Sequence, residues 1–277
     1  MMRKDFVATD HGKISCTQSQ TTGPAILFIH GNSSCKEVFA NQFADPALAH
    51  WRLVAIDLPG HGESEDASDP EATYHFAGYA EMAEQVIEAL QLGTPLVFGW
   101  SLGGHIGLEM VGRGTPLKGL MISGTPPVKP EPECLMAAFN SDSQASALTG
   151  KRNFTGEDVA IYAAHTASAD GVVDPHFLAM CRRTDGRARE IMLGSAVAGK
   201  VLDERAIVAS MTIPLAIVNG ADDPFIRPEY LEGLTYGSLW KRGVVRIEGA
   251  AHAPFLQRPD VFNRLLAAFL EKAAAPA

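Results

Sequence analysis

The chain has 277 residues, 46% hydrophobic and 20% charged, with a formal net charge of −9. That content suffices for one large core, or for a core with a small appended domain. The acidic balance argues against a nucleic-acid-binding surface and gives no reason for attraction to an anionic membrane. The first residues, MMRKDFVATDHGK, are charged and lack the apolar stretch of a secretory signal, and runs such as IPLAIVNG are too short to span a bilayer. Cys16, Cys35, Cys134 and Cys181 are scattered without a CxxC pair, the usage expected of reduced, buried thiols in a cytoplasmic protein. No metal-ligand motif stands out, and no cofactor is implied.

In chain order, AILFIH (25–30), RLVAID (52–57), PLVFGW (95–100) and KGLMISG (118–124) read as buried strands. Between the second and third, YAEMAEQVIEALQLG carries apolar residues at helical spacing and stops at Gly93, a C-cap signal. Strands alternating with helices imply a parallel sheet covered on both faces. From 127 to 206 the strand runs vanish. TPPVKPEPE leads into this stretch, and GEDVAIYAAHTA, PHFLAMCRRT and GRAREIMLGSAVAG within it look helical. Strands resume with IPLAIVNG (213–220) and GVVRIEGA (243–250), and EKAAAPA reads as a frayed tail. The expected architecture is α/β: a mostly parallel central sheet flanked by helices, built from 1–126 and 207–277. A helical cap, 127–206, is inserted after the fourth parallel strand.

One serine sits unusually. Ser101 follows a strand, precedes a helix and lies in Gly99-x-Ser101-x-Gly103, the nucleophile-elbow pattern in its expected context. A serine on so tight a turn is held in a strained conformation, and glycines two residues either side relieve the crowding. The helix start behind it offers the Leu102 N–H to a developing oxyanion. A second donor is expected from the loop after an earlier strand, where Asn32 follows His30 and Gly31; His30 itself reads as structural.

A serine nucleophile needs a base, and the base an orienting acid, in the order Ser, Asp or Glu, His. His252 follows the last strand. Asp222 and Asp223 follow the strand before it, and both remain candidates, with turn spacing favouring Asp223.

The segments FIHGN, AIDLPGHGES, GWSLGGH, NGADDP and GAAHAPF, in this order, make the chain resemble a serine-dependent α/β-hydrolase over nearly its full length. Asp57, in DLPGHGES, reads as structural there. Serine at the elbow argues against the dehalogenase and epoxide hydrolase chemistries that use aspartate. More narrowly, HGNSS, GLMISGTPPV, RTDGRARE and PLAIVNGADDPF resemble the metal-independent α/β-hydrolase type of N-acylhomoserine lactonase, which opens the lactone of bacterial quorum-sensing signals. That resemblance implies a Ser101–His252–Asp223 triad, an oxyanion hole from Asn32 and Leu102, and a lactone contact from Tyr162 on the cap. Glutamate also occurs at the acid position of this group. Tyr162 has a second reading as a packed cap aromatic. Phe39 likewise reads either as lining for an acyl chain or as core packing.

The expected reaction is ester hydrolysis of a small-molecule substrate through an acyl-enzyme. The alternatives are a general carboxylesterase, a carbon–carbon bond hydrolase, or a ligand receptor on a hydrolase scaffold. Oligomeric state, acyl-chain preference and physiological role stay open.

Overall fold

A computed structural model describes residues 2–168 and 172–275. Eight strands form one sheet in the order β1-β2-β4-β3-β5-β6-β7-β8. They are β1 (Met2–Thr9), β2 (Gly12–Ser19), β3 (Ala25–Ile29), β4 (Arg52–Ile56), β5 (Leu96–Trp100), β6 (Gly119–Ser123), β7 (Leu215–Gly220) and β8 (Val245–Ile247). β1 pairs antiparallel with β2, and β2 with β4; every other pairing is parallel. The six strands read from the sequence are all present, each trimmed by one to five residues.

The β1–β2 hairpin was not legible in the sequence. Val7 is the one buried residue of β1, and charged side chains along it remove the apolar signal. Such a polar edge strand also resists unwanted pairing with other chains.

In the central strands both faces are covered, so residues alternate between two cores rather than between core and water. Leu27, Ile29, Val97 and Ile122 belong to one core. Ile26, Phe28, Phe98 and Met121 belong to the other.

Helix α1 (Ala40–Phe43) lies between β3 and β4, while α2 (Pro70–Thr73) and α3 (Phe76–Ala89) lie between β4 and β5. Helix α4 (Leu102–Gly112) links β5 to β6. Between β6 and β7 come α5 (Pro132–Ala138), α6 (Gly156–Thr166), α7 (Pro175–Arg183), α8 (Gly186–Val197) and α9 (Glu204–Ser210). Helix α10 (Pro228–Glu232) precedes β8, and α11 (Pro254–Gln257) and α12 (Pro259–Ala274) follow it. The supposed frayed tail is therefore helical as far as 274, because Phe269 and Leu270 anchor α12 in the core; 276–277 lie outside the described residues.

The helical insertion leaves and rejoins the sheet layer at one point. The Glu204 N–H donates to Val128 O (3.0 Å), and the Val128 N–H donates to Glu204 Oε2 (2.9 Å). Glu204 Oε1 lies 2.7 Å from His105 Nδ1 on α4. Position 206 lies within α9, a helix tied to α4 by this contact.

Candidate active site

Ser101 has φ 53° and ψ −117°, a strained conformation for a residue with a Cβ. Its backbone is gripped on both sides: Ser101 N–H donates to Ser123 O (2.8 Å), and Thr125 Oγ1 donates to Ser101 O (2.8 Å). The two flanking glycines are required by close approach. A Cβ on Gly99 would fall 2.2 Å from Gly103 O, and one on Gly103 2.1 Å from Ile29 O. The elbow is therefore wedged between its own helix and β3. Leu102 begins α4, so its N–H belongs to the first turn, where no intrahelical acceptor exists.

The loop after β3 passes directly beside the elbow, with Gly31 against the Ser101 and Trp100 side chains. Buried His30 fixes this loop. Its Nε2 accepts from Leu58 N–H (3.0 Å), so Nδ1 carries the proton and donates to Gly31 O (2.7 Å). Burial lowers the His30 pKa, in keeping with a neutral ring. Asn32 Nδ2 donates to Thr149 O of the cap (2.9 Å), and Asn32 Oδ1 accepts from Ser33 Oγ (3.2 Å). Ser33 itself sits at φ 56°, a second strained serine within the site.

Two cap residues meet this loop. The buried Tyr162 hydroxyl faces the Asn32 and Thr149 side chains, and burial raises its pKa. Arg189, on α8, is only 3% exposed and has no carboxylate partner among the described residues. It donates from Nε to Lys151 O (2.8 Å), from Nη2 to Arg152 O (2.9 Å) and from Nη1 to Ser33 Oγ (3.2 Å), and stacks 3.9 Å over Phe154. Its segment, RTDGRARE, carries no generic catalytic signal in the sequence. In the structure it fastens the cap to the core: Arg183 donates to Gly60 O (3.2 Å) and Ser64 O (2.7 Å), and Tyr74 OH donates to Asp185 (2.8 Å).

On the opposite side, His252 Nδ1 lies 2.9 Å from Asp223 Oδ2 and 3.1 Å from Oδ1. The Phe225 N–H donates to Asp223 Oδ1 (2.9 Å), which orients the carboxylate. Asp222 is exposed. Trp100 Nε1 donates to His252 O (2.8 Å), joining the elbow strand to the histidine loop. Beneath the ring lies Gly124, at φ 62°; a Cβ there would come 2.7 Å from His252 Cε1. Asn219 Oδ1 accepts from the Gly124 N–H (2.9 Å) and so fixes this seat. Asn219 and Gly124 carry no chemical signal of their own in the sequence; only their contacts reveal what they support.

Two other sequence candidates sit elsewhere. Phe39 is fully buried against Phe28, Phe98 and Phe255, contacts that suit the core-packing reading. Asp57 is fully buried and accepts from Lys36 Nζ (2.7 Å), Lys36 N–H (2.7 Å) and Glu63 N–H (2.9 Å), bracing two loops.

The family profile for the alpha/beta hydrolase fold matches residues 24–259. The chain belongs to the alpha/beta hydrolase family. Among solved structures, the N-acyl homoserine lactonase AidH complexed with N-butanoyl homoserine is 39% identical with a TM-score of 0.95, covering 99% of this chain and 98% of that one. A variant of the same lactonase complexed with N-hexanoyl homoserine superposes with a TM-score of 0.96 over 100% of this chain and 99% of that one, also at 39% identity. A pimeloyl-[acyl-carrier protein] methyl ester esterase of Neisseria meningitidis serogroup A is 28% identical over 256 residues, 89% of this chain and 76% of that protein. In an alpha/beta hydrolase, ligands meet the carboxyl ends of the parallel strands. Asn32, Ser101, Asp223 and His252 all follow such ends, those of β3, β5, β7 and β8.

Proposed function

We propose that this alpha/beta hydrolase opens the lactone ring of N-acylhomoserine lactones by serine-dependent ester hydrolysis. The observation that carries the chemistry is the Asp223–His252 pair at 2.9 Å, in the strand-end cluster that holds the strained Ser101. The observation that favours the lactone is the 39% identity to AidH over 99% of the chain.

In this reading Ser101 Oγ attacks the lactone carbonyl while His252 Nε2 takes its proton. The Leu102 and Asn32 N–H groups receive the oxyanion. Collapse breaks the ring C–O bond, and the His252 imidazolium returns the proton to the leaving alkoxide. Water, deprotonated by His252, then releases the N-acylhomoserine. Asp223 keeps the proton on Nδ1, so that Nε2 is the basic nitrogen, and stabilises the imidazolium. Tyr162, beside Asn32, contacts the lactone head from the cap.

A second reading is hydrolysis of an acyclic carboxylic ester. It draws on relatives such as the pimeloyl-[acyl-carrier protein] methyl ester esterase of Yersinia pseudotuberculosis serotype O:1b, 26% identical over 82% of this chain and 86% of that protein.

The test is mass spectrometry of an N-acylhomoserine lactone incubated with the protein in EDTA, with Ser101→Ala as control. A gain of one water with the amide intact, reversed on acidification and absent in the variant, supports the lactonase. Release of free homoserine lactone means amide cleavage. Turnover of methyl esters with an inert lactone favours the second reading.

A further inference from the structure

Away from the serine, the fold brings together three side chains far apart in sequence: Cys35 and Glu37, at the start of the 3-10 turn after β3, and His176, in the first turn of cap helix α7. We propose that Cys35, Glu37 and His176 form a binding site for a divalent transition metal of the zinc class, linking the cap to the core. This inference stands apart from the lactone reading, since none of the three residues belongs to the proposed triad or oxyanion hole.

One ligand atom from each residue lies within 4.8 Å of the others. Cys35 Sγ is 3.7 Å from His176 Nε2, and His176 Nε2 is 3.7 Å from Glu37 Oε2. A tetrahedral ion with sulfur at about 2.3 Å and nitrogen or oxygen at about 2.0–2.1 Å requires ligand separations of roughly 3.3–3.6 Å. The group is thus within a few tenths of an ångström of a ligating arrangement along two of its edges. Glu37 Oε2 is buried and lacks a hydrogen bond of ordinary length among the described residues, with the Cys35 thiol beside the carboxylate and His176 Nε2 at 3.7 Å. The other oxygen, Oε1, is held by Lys36 Nζ at 2.9 Å.

The local charge favours a cation. Lys36 Nζ faces three carboxylates, Glu37 at 2.9 Å, Asp57 at 2.7 Å and Glu63 at 2.8 Å, and Lys4 pairs with the last of these, so the acids still outnumber the ammonium groups three to two. Access is also suitable, because the Cys35 sulfur lies at a buried floor while the Glu37 and His176 side chains are 37% and 46% exposed. Thiolate with imidazole and carboxylate is a donor set for zinc or cobalt rather than for calcium or magnesium, and three protein ligands leave a fourth position for water.

Binding follows Cys–SH + M²⁺ → Cys–S⁻–M²⁺ + H⁺. Cys35 is three residues beyond Asn32, so a bound ion would join the proposed oxyanion loop to α7.

The test is titration of the full, untagged, EDTA-treated protein with cobalt(II), followed by its thiolate-to-cobalt charge-transfer band, and then competition with zinc. We expect one cobalt per chain, a band displaced by zinc, loss of the band in Cys35→Ser, and at least about tenfold weaker binding in His176→Ala. His176 is partly exposed, so its replacement tests the site even if Cys35→Ser fails to fold. Absence of a thiolate band in the wild type, or a band unchanged in His176→Ala, overturns the proposal.

Discussion

Asp223 turns both carboxylate oxygens toward Nδ1 of His252, at 2.9 and 3.1 Å, while Asp222, its neighbour in the chain, is exposed to solvent. The two acids are indistinguishable by residue type, and the turn separates them. Asp223→Asn should leave the fold intact and lower kcat by about ten-thousand-fold, because an amide no longer enforces the productive tautomer. Asp222→Asn should change kcat less than about threefold. Steady-state rates on one ester substrate distinguish the two; equal losses would remove Asp223 from the proposed role.

Gly124 offers a more local probe. A methyl group there meets His252 Cε1 at 2.7 Å, and the positive φ adds about 1–2 kcal/mol of backbone strain. Gly124→Ala should therefore fold with lowered stability and lose roughly a hundredfold in kcat, the scale of an ångström-sized displacement of a catalytic group. Circular dichroism alongside kinetics checks it, and a variant of normal activity would show that the ring tolerates the shift.

Arg189 bridges the cap to Ser33, beside Asn32, and burial lowers its pKa. Arg189→Met removes the donor to Lys151 O, Arg152 O and Ser33 Oγ together, so a loss of about 1.5–3 kcal/mol is expected in denaturant unfolding. Arg189→Lys should recover little of this loss, since one ammonium cannot span the fork that the guanidinium fills.

Buried His30 and His61 predict the acid limb of stability. Burial lowers both pKa values below the ordinary 6.5, so the unfolded chain binds protons that the folded chain refuses. Their contribution is complete above pH 6.5 and is lost as the pH falls toward the folded-state values. The melting temperature should drop between pH 7 and 5, and less steeply in His61→Gln. An identical slope in that variant would mean that His61 does not carry the effect.

The central strands and the serine elbow were legible because burial on both faces writes itself as continuous apolar runs, and because the elbow demands glycines at 99 and 103 for contact reasons alone. The β1–β2 hairpin was not legible, since a polar edge strand has no periodic apolar face to reveal. Phe39 shows a different limit. An aromatic at this point of the sequence suits either a substrate wall or a core, and only its contacts with Phe28, Phe98 and Phe255 give the core reading its support. Arg189 and Asn219 act through partners many residues away, and Cys35 meets His176 across 141 positions, so no local pattern announces any of them.

The knot of Val128, Glu204 and His105 has a consequence for how such a chain diversifies. Since the insertion departs and returns through one pair of hydrogen-bonded residues, its length and content are invisible to the pairing of β6 with β7. The segment between those two residues is exchangeable only together with its other ties to the core, those of Arg183, Asp185 and Arg189. Grafting the equivalent stretch of a relative onto this junction would give the same serine, histidine and aspartate a differently shaped chamber above them.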